Sequence, residues 1–181
     1  MLEECFSVLP RGSRFIFHGD AKARAAASTA WGVAFAEQAC RAIVAGERAT
    51  LWLGPDEYLL LESSGVANLA AASAAATAGA ANAIEQALGE LPHALVDISH
   101  RQIAMQLRGP HAAEILNGAC PLDLGIEEFP VGACTRTVFA KAEIVLWRTA
   151  PDTFQLEVWR SFAAYVTGLV REIAVEIYGA G

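Results

Sequence analysis

The stretch Asp97–Leu124, DISHRQIAMQLRGPHAAEILNGACPLDL, determines the predicted fold more than any other part of the chain. Its pattern predicts a strand, a turn, a second strand, a short amphipathic helix and a polar stop. Proline suits the first position of a helix, because the N–H that it lacks would have no partner there. We therefore expect Pro110 to open the helix and Ile115 and Leu116 to lie on its buried side.

A faint echo of this stretch occurs near the N-terminus. Residues 6–26, FSVLPRGSRFIFHGDAKARAA, lie over residues 96–116 without a gap at an offset of 90. The matched pairs are Phe6 with Val96, Val8 with Ile98, Arg11 with Arg101, Phe17 with Leu107, Gly19 with Gly109 and Ala23 with Ala113. The chain is therefore interpreted as two copies of one unit.

A second echo supports the duplication. The segment 51–62, LWLGPDEYLLLE, resembles 146–158, LWRTAPDTFQLEV, with Asp56 over Asp152 at an offset of 96. The larger offset predicts about six extra residues in the middle of the second copy. The alternative is that hairpins with a Pro-Asp turn resemble one another without common origin.

Each copy is predicted to contain two strands, a helix, three strands and a helix. The fold class is α+β, a duplicated β2-α-β3-α unit with pseudo-two-fold symmetry, in one compact domain 1–181 whose similar halves are about 1–92 and 93–181. Asp20 and Gly32 are expected to cap the first helix, and Ser161 the last. Residues 33–48 are expected to be extended, with a second helix as the rival interpretation.

Composition favours a protein that works against a partner. Hydrophobic residues make up 54% of the 181 residues and charged residues only 18%, which suggests that part of the surface is covered; a general bias toward alanine is the alternative. The net charge of −7 without any run of Lys or Arg argues against nucleic-acid binding. The weakly polar run Gly65–Ile84 is mostly alanine with polar interruptions, so no membrane span is expected. No secretory signal is visible, and we expect a cytoplasmic protein.

Cysteines and histidines are scattered rather than clustered. No two of Cys5, Cys40, Cys120 and Cys134 have the CxxC spacing, so we expect buried, reduced thiols. A zinc site would usually show a local pair of ligands. The histidines lie far apart, at His18, His93, His100 and His111. We therefore predict no metal-binding residue.

Three polar motifs are better explained by local structure than by chemistry. Ser99 and His100 are adjacent on a predicted strand end and point to opposite sides, so a polar turn in which Asp97 accepts from turn amides is expected. Gly109-Pro110-His111 lacks the further glycines of a phosphate loop. Gly54-Pro55-Asp56-Glu57 lacks the regularly spaced ligands of a metal loop.

The remaining candidates are carboxylates and tryptophans. Asp123, Glu127 and Glu128 are expected to form a solvated loop, because nothing indicates the rigid frame that an acid–base pair needs. Core positions are the default for three tryptophans, and interface anchors are the alternative; these are Trp52, Trp147 and Trp159. The residues alone predict no catalytic and no cofactor-binding side chain.

Several segments in order resemble the gamma subunit family of heterotetrameric sarcosine oxidase. They are ALVDISHRQIAMQLRGPHAAEILNGACPLDL at 94–124, FPVGACTRTVFAKAEIVLW at 129–147, FQLEVWRSFAAYVTGLV at 154–170 and LWLGPDEYLLL at 51–61. The resemblance covers most of residues 48–175, and Tyr58 stands where tryptophan is common in the family.

The resemblance implies a non-catalytic subunit. The family's complex oxidatively demethylates sarcosine to glycine, forms hydrogen peroxide, and passes the one-carbon unit to tetrahydrofolate or releases it as formaldehyde. It implies that FAD, FMN, NAD and tetrahydrofolate are held by the alpha and beta subunits and zinc by the delta subunit. No cofactor is expected in this chain, and alpha is its expected main contact.

A more distant similarity is to the aminomethyltransferase of the glycine cleavage system, through the pattern D-x-S-H…G-P-x-A-A-x-x-L. This similarity implies the duplicated, folate-binding (aminomethyltransferase-like) fold. It also supplies the alternative function, a free-standing folate-dependent one-carbon transfer protein. No folate-binding acidic residue of that family can be matched to a position in this chain.

Overall fold

The computed structural model describes the backbone of residues 5–62 and 74–179 and the side chains of residues 5–62 and 77–179. The chain divides into two compact units. One is Pro10–His100, which we call the central unit, and the other consists of described residues on either side of it, which we call the flanking unit. The part of the predicted run Gly65–Ile84 that precedes residue 74 lies outside the described residues.

The described elements follow the predicted order. The strands are β1 Phe6–Val8, β2 Ser13–Gly19, β3 Ala42–Ala45, β4 Arg48–Gly54, β5 Glu57–Glu62, β6 His93–Asp97, β7 Gln102–Arg108, β8 Cys134–Phe139, β9 Ala142–Ala150 and β10 Thr153–Trp159. The helices are α1 Ala21–Trp31, α2 Ala74–Leu88, α3 Ala112–Asn117 and α4 Ala163–Gly179. The duplicated β2-α-β3-α order is confirmed, and β3 shows that residues 33–48 hold turns and a strand rather than a second helix.

The two copies of the repeat exchange their first strands. The central unit has the sheet order β3-β4-β5-β2-β6, and the flanking unit has the order β1-β7-β10-β9-β8. Strand β6, which begins the second copy, therefore pairs with β2 of the first copy, while β1 pairs with β7 of the second. Every strand pair among the described residues is antiparallel. The division of the chain into two similar halves, about 1–92 and 93–181, stays a prediction.

The repeat extends to individual hydrogen bonds. Gly19 N donates to Asp56 O at 3.1 Å, and Gly109 N donates to Asp152 O at 2.9 Å. The strand registers agree as well, with Phe17 opposite Tyr58 and Leu107 opposite Phe154. Both offsets read from the sequence, 90 and 96, connect these equivalent pairs, so the duplication is confirmed at the level of backbone contacts.

The gapless overlay fails by one residue at the first strands. Phe6 lies opposite Leu107. In the first copy the residue equivalent to Leu107 is Phe17, and Phe17 lies opposite Leu95. Phe6 therefore corresponds to Leu95 rather than to Val96. A one-residue slip moves a strand's side chains to the opposite face, and the correct register places Phe6 in the core of its unit at 8% exposure.

In the central unit, helices α1 and α2 cover one face of the sheet. Their buried residues pack on aromatic and aliphatic side chains of the strands; the core consists of Phe15, Phe17, Ala23, Ala27, Trp31, Val33, Tyr58, Leu60, Ile84 and Leu88. Helix α1 begins at the predicted cap, where Asp20 accepts from the N–H groups of Lys22 and Ala23. It ends at Gly32, whose φ of 77° is the left-handed conformation that glycine adopts without strain.

In the flanking unit, the helix after the second strand is much shorter. Helix α3 has 6 residues where α1 has 11, and a long loop follows it. Pro110 lies in the turn before the cap residue His111, so the prediction that it opens the helix is wrong by two positions. Ser161 lies inside the 3-10 turn Arg160–Phe162 that leads into α4, so its predicted place as the cap is also wrong.

Two glycines of the central unit are expected to respond oppositely to alanine. A Cβ on Gly19 would lie 2.7 Å from Phe17 Cζ and 2.8 Å from Ala23 Cβ, both in the buried core. Gly19→Ala should therefore lower the free energy of unfolding by about 1–3 kcal/mol. Gly79 lies on an exposed part of α2 with nothing within 4 Å of its Cβ position, and Gly79→Ala should raise it by about 0.5–1 kcal/mol. Urea unfolding followed by circular dichroism measures both, and equal effects would contradict the packing argument.

Candidate functional site

The polar turn after β6 has a structural role, as predicted. Asp97 Oδ1 accepts from Ser99 N at 2.8 Å. The Ser99 hydroxyl accepts from Arg14 N at 2.9 Å and lies 3.4 Å from Arg14 O. His100 is exposed. The Ser99 hydroxyl therefore holds the neighbouring strand in place, and the geometry does not bring His100 to it as a base.

The Gly109-Pro110-His111 motif forms a tight connection between β7 and α3. Gly109 has a φ of 115°, and His111 Nδ1 lies 2.9 Å from Glu114 Oε2. The His111 ring packs edge-on against Tyr178, whose hydroxyl lies 3.6 Å from Cys5 Sγ. That contact and burial raise the pKa of Tyr178. An acidic side chain in the first turn of so short a helix disfavours an anion there.

The Gly54–Glu57 segment is a turn, as predicted. Asp56 has a φ of 60° and forms an ion pair with Arg24. Glu57 Oε1 lies 3.9 Å from Nε2 of His18 on the neighbouring strand β2. Burial raises the pKa of Tyr58, which donates from its hydroxyl to Ala36 O at 2.9 Å. The charged groups of the turn therefore interact with other residues of the central unit.

The carboxylates of the predicted acidic loop are exposed to solvent. Asp123 Oδ1 accepts from Gly125 N at 2.8 Å, while Glu127 and Glu128 are exposed. Across residues 5–62 and 74–179, no three His, Cys, Asp or Glu side chains are grouped so that they could hold a metal ion.

Sequence reasoning missed a buried arginine beneath this loop. Arg148 is 5% exposed. Its guanidinium donates to four carbonyl oxygens, and its Cζ lies 4.7 Å from the Phe154 ring centroid; the acceptors are Phe129 at 2.6 Å, Pro151 at 2.7 and 3.0 Å, Leu124 at 3.1 Å and Gly125 at 3.4 Å. Burial lowers its pKa, which the charge of Asp152 partly offsets. This cation fastens the loop to the β9–β10 turn.

The cysteines of the described chain are free thiols, but the prediction that all are buried is wrong. Cys120 and Cys134 are buried, Cys5 is half-buried, and Cys40 is exposed. Cys40 has a φ of 58° in the turn before β3, a conformation typical of surface turns. The residues around Cys40 do not indicate this turn, because the apolar ones among them are compatible with a helix as well as with extended structure.

His93 joins the end of α2 to the strand that follows. Its Nδ1 lies 2.7 Å from Leu91 O and its Nε2 lies 2.8 Å from Glu85 Oε2. A neutral imidazole has one N–H, so only the protonated ring can donate both hydrogen bonds. The bond to Leu91 and the bond to Glu85 raise the pKa of His93 above the ordinary value of 6.5.

This arrangement makes stability depend on pH. Because the folded pKa is raised, the stabilisation is complete below pH 6.5 and is lost as pH rises through the folded value. His93→Gln should remove about 1 kcal/mol or less at low pH and flatten the dependence of stability on pH above pH 6.5. His100→Gln, at an exposed histidine, is the control that makes the same change of residue type. Urea unfolding across this range decides, and identical curves for the wild type and His93→Gln would contradict the assignment.

The three tryptophans do not share one environment, although a core position was the default prediction for each of them. Trp52 packs half-buried on the core of the central unit. Trp147 is half-buried, and its Nε1 is enclosed without a hydrogen-bond partner among the described residues. Trp159 is 37% exposed, so its default core assignment is wrong. The Arg101 Cζ lies 4.2 Å from the centroid of the Trp159 ring.

Among the helices of the described residues, none has the length and hydropathy needed to span a bilayer.

Comparison with solved structures identifies the fold class of the protein. The structure of the glycine cleavage system aminomethyltransferase T from Bartonella henselae matches with a TM-score of 0.62 and 12% identity, over 91% of this chain and 44% of that one. At this identity the match shows the fold alone. The chain thus has the α+β, folate-binding (aminomethyltransferase-like) fold that the sequence predicted.

The family follows from closer matches. The family model described as sarcosine oxidase, gamma subunit family, matches residues 18–176, so the chain belongs to this family. A chain of the heterotetrameric sarcosine oxidase from Corynebacterium sp. U-96, in complex with pyrrole 2-carboxylate, matches with a TM-score of 0.79 and 26% identity, over 93% of this chain and 83% of that one.

Curated relatives carry the same description. The sarcosine oxidase subunit gamma of Corynebacterium sp. strain U-96 is 34% identical over 117 residues, which is 65% of this chain and 51% of the relative. The subunit gamma of Arthrobacter sp. is 32% identical over 131 residues, 72% of this chain and 59% of the relative. The chain matches about half the length of these relatives.

Proposed function

We propose that this chain is a non-catalytic gamma subunit of a heterotetrameric sarcosine oxidase, and that it supports assembly of the complex. The observation that carries the proposal is the family match over residues 18–176, together with the structural match to a chain of a heterotetrameric enzyme. In this proposal the complex oxidatively demethylates sarcosine to glycine in the cytoplasm, with hydrogen peroxide and either one-carbon transfer to tetrahydrofolate or formaldehyde release.

The polar side chains of the chain support a structural role. Ser99 is bonded to a strand backbone, Asp56 to Arg24, and Arg148 to loop carbonyls. Such contacts hold secondary structure in place and leave these groups engaged within their own units. In the proposed division of work, FAD, FMN, NAD, tetrahydrofolate and zinc are held by the alpha, beta and delta subunits, and alpha is the main contact.

The proposal is tested by co-expression with alpha, beta and delta subunits, followed by size exclusion and an absorbance spectrum of the eluted peak. We expect the chain to co-elute with the flavin absorbance, and we expect the complex to be lost or reduced when the chain is omitted. A flavin-containing complex that forms equally well without this chain contradicts the proposal.

A calorimetric titration separates the proposal from the alternative function. The isolated chain is titrated with tetrahydrofolate, and a non-catalytic subunit should give no heat beyond dilution. Saturable heat would favour a free-standing folate-dependent one-carbon transfer protein, whose fold this chain shares.

A further inference from the structure

We infer that the surface formed by Arg101, Trp159 and Arg160, called here the Arg-Trp surface, binds an acidic segment of a partner protein. This inference rests on the proposed function, since that function supplies the partner subunits. The three residues lie where β7 begins and β10 ends, within the flanking unit.

The backbone holds the Arg-Trp surface in one arrangement. Trp159 lies directly opposite Gln102 in the antiparallel pair of β10 and β7. One residue further along each strand, Arg160 N donates to Arg101 O at 2.9 Å. The backbone positions of the two arginines are therefore fixed next to each other, and no backbone rearrangement is needed when a partner binds.

The side chains are those that contribute most at protein interfaces. Tryptophan and arginine are enriched among residues whose truncation costs the most binding energy. The Arg101 Cζ is 4.2 Å from the Trp159 ring centroid, which orients the guanidinium plane and leaves its N–H groups for a carboxylate. Trp159, at 37% exposure, still has indole surface to bury. Tyr165, at 40% exposure, is a second exposed aromatic side chain of the same unit, in the first turn of α4.

The charge of the Arg-Trp surface selects the partner's chemistry. Arg101 and Arg160 are exposed, and within the part of the chain that the structure describes neither has a carboxylate within ion-pair distance. Arg24 and Arg48, by contrast, are neutralised by Asp56 and Glu62. Two unneutralised guanidiniums beside an indole complement carboxylates and repel a basic surface.

A protein segment fits this surface better than other anionic ligands. The chain carries a net charge of −7, which repels a polyanion such as a nucleic acid, and two arginines are too few to offset it. Small metabolites are bound in concave pockets, whereas these side chains stand at an exposed strand end. A short run of Asp or Glu beside an apolar residue would satisfy both the guanidiniums and the indole.

The test co-expresses the chain with the alpha, beta and delta subunits, and the dissociation constant of the chain is measured by diluting the purified complex. The double variant Arg101→Glu/Arg160→Glu should raise Kd by about 100-fold, and Trp159→Ala should raise it by about 30-fold. The matched control is Lys141→Glu/Arg171→Glu, which makes the same charge change at two exposed cations of the same unit. That control should change Kd by less than about 3-fold, and thermal unfolding shows that each variant is folded.

The outcomes separate the two proposals. If the wild type binds and the Arg101/Arg160 variant binds equally well, the Arg-Trp surface is not the docking site, while the proposed function stands. If both double variants lose affinity equally, only net charge matters and the inference is overturned. If the wild type does not bind the other subunits at all, the proposed function fails and the inference fails with it.

Discussion

Replacing Arg148 by methionine is expected to lower the free energy of unfolding by about 3–5 kcal/mol, because removing one partner of a buried, hydrogen-bonded charge leaves the other groups unpaired. The guanidinium is 5% exposed and donates to carbonyls on both sides of it, in the loop at Phe129 and in the turn at Pro151. Methionine fills similar volume but donates no hydrogen bond, so these oxygens would be left buried without donors. Urea unfolding at neutral pH measures the change.

Matched variants isolate the cause of that loss. Arg148→Lys keeps the charge with a compact head group that cannot span both segments, and an intermediate loss of about 2 kcal/mol is expected. Arg171→Met removes an exposed arginine of the same unit and should change stability by less than about 0.5 kcal/mol. A loss for Arg148→Met no larger than for Arg171→Met would show that water replaces the guanidinium.

A second readout reports on the loop itself. Glu127 and Glu128 are exposed in the segment that Arg148 fastens, and a protease that cleaves after glutamate can reach them. Cleavage there should be faster in Arg148→Met than in the wild type at a denaturant concentration where both remain folded, because local opening then needs less free energy.

The order of the elements and the caps of α1 could be predicted because local signals carry them. Asp20 and Gly32 bound α1 as their residue types require. The two offsets correctly joined Gly19 to Gly109 and Asp56 to Asp152, whose backbone hydrogen bonds correspond. Repetition reinforced signals that would be weak in a single copy.

Pairing between strands could not be predicted in the same way. A repeat shows that β1 and β6 are alike, but likeness does not say which sheet each one joins. The pair Phe6–Leu107 is distant in sequence, and no local propensity encodes it. The exchange therefore emerges only with the three-dimensional structure.

Arg148 had a signal that pattern reasoning could have used. Along β9 it is in phase with Ile144 and Leu146, which are 1% and 0% exposed. Strict alternation places all three on the buried face of the sheet. What the pattern cannot supply is the identity of the acceptors, because backbone carbonyls occur at every position and leave no trace in the sequence.

Tryptophan assignments show a related limit. Period-two alternation identifies the side of a strand on which Trp159 lies, but it does not tell whether anything covers that side. Trp31, by contrast, ends a helix of small residues and is completely buried. A long aromatic side chain at the end of an alanine-rich helix reaches space that the alanines leave open, which makes burial there the natural expectation.

Trp31→Ala is accordingly expected to lower the free energy of unfolding by about 3–5 kcal/mol, since a large buried side chain leaves a cavity that its neighbours fill only in part. The Trp31 ring packs edge-on against Phe15 at 6.0 Å, and the Arg48 Cζ lies 4.6 Å from its centroid. Its Nε1 donates to Ala49 O at 3.4 Å. Alanine would remove the aromatic pair, the cation contact and this donor together.

Two further variants identify the cause of this loss. One separates the effect of the ring volume from that of the N–H group, and the other compares a buried tryptophan with an exposed one. Trp31→Phe keeps a ring against Phe15 while it loses the N–H, and a loss of about 1–2 kcal/mol is expected. Trp159→Ala removes the same residue type from an exposed strand end, where a change below about 1 kcal/mol is expected. Comparable losses for Trp31→Ala and Trp159→Ala in urea unfolding would mean that Trp159 also supports the fold. Binding defects of the Trp159 variant would then report on folding rather than on docking, so this stability comparison must precede any measurement of affinity.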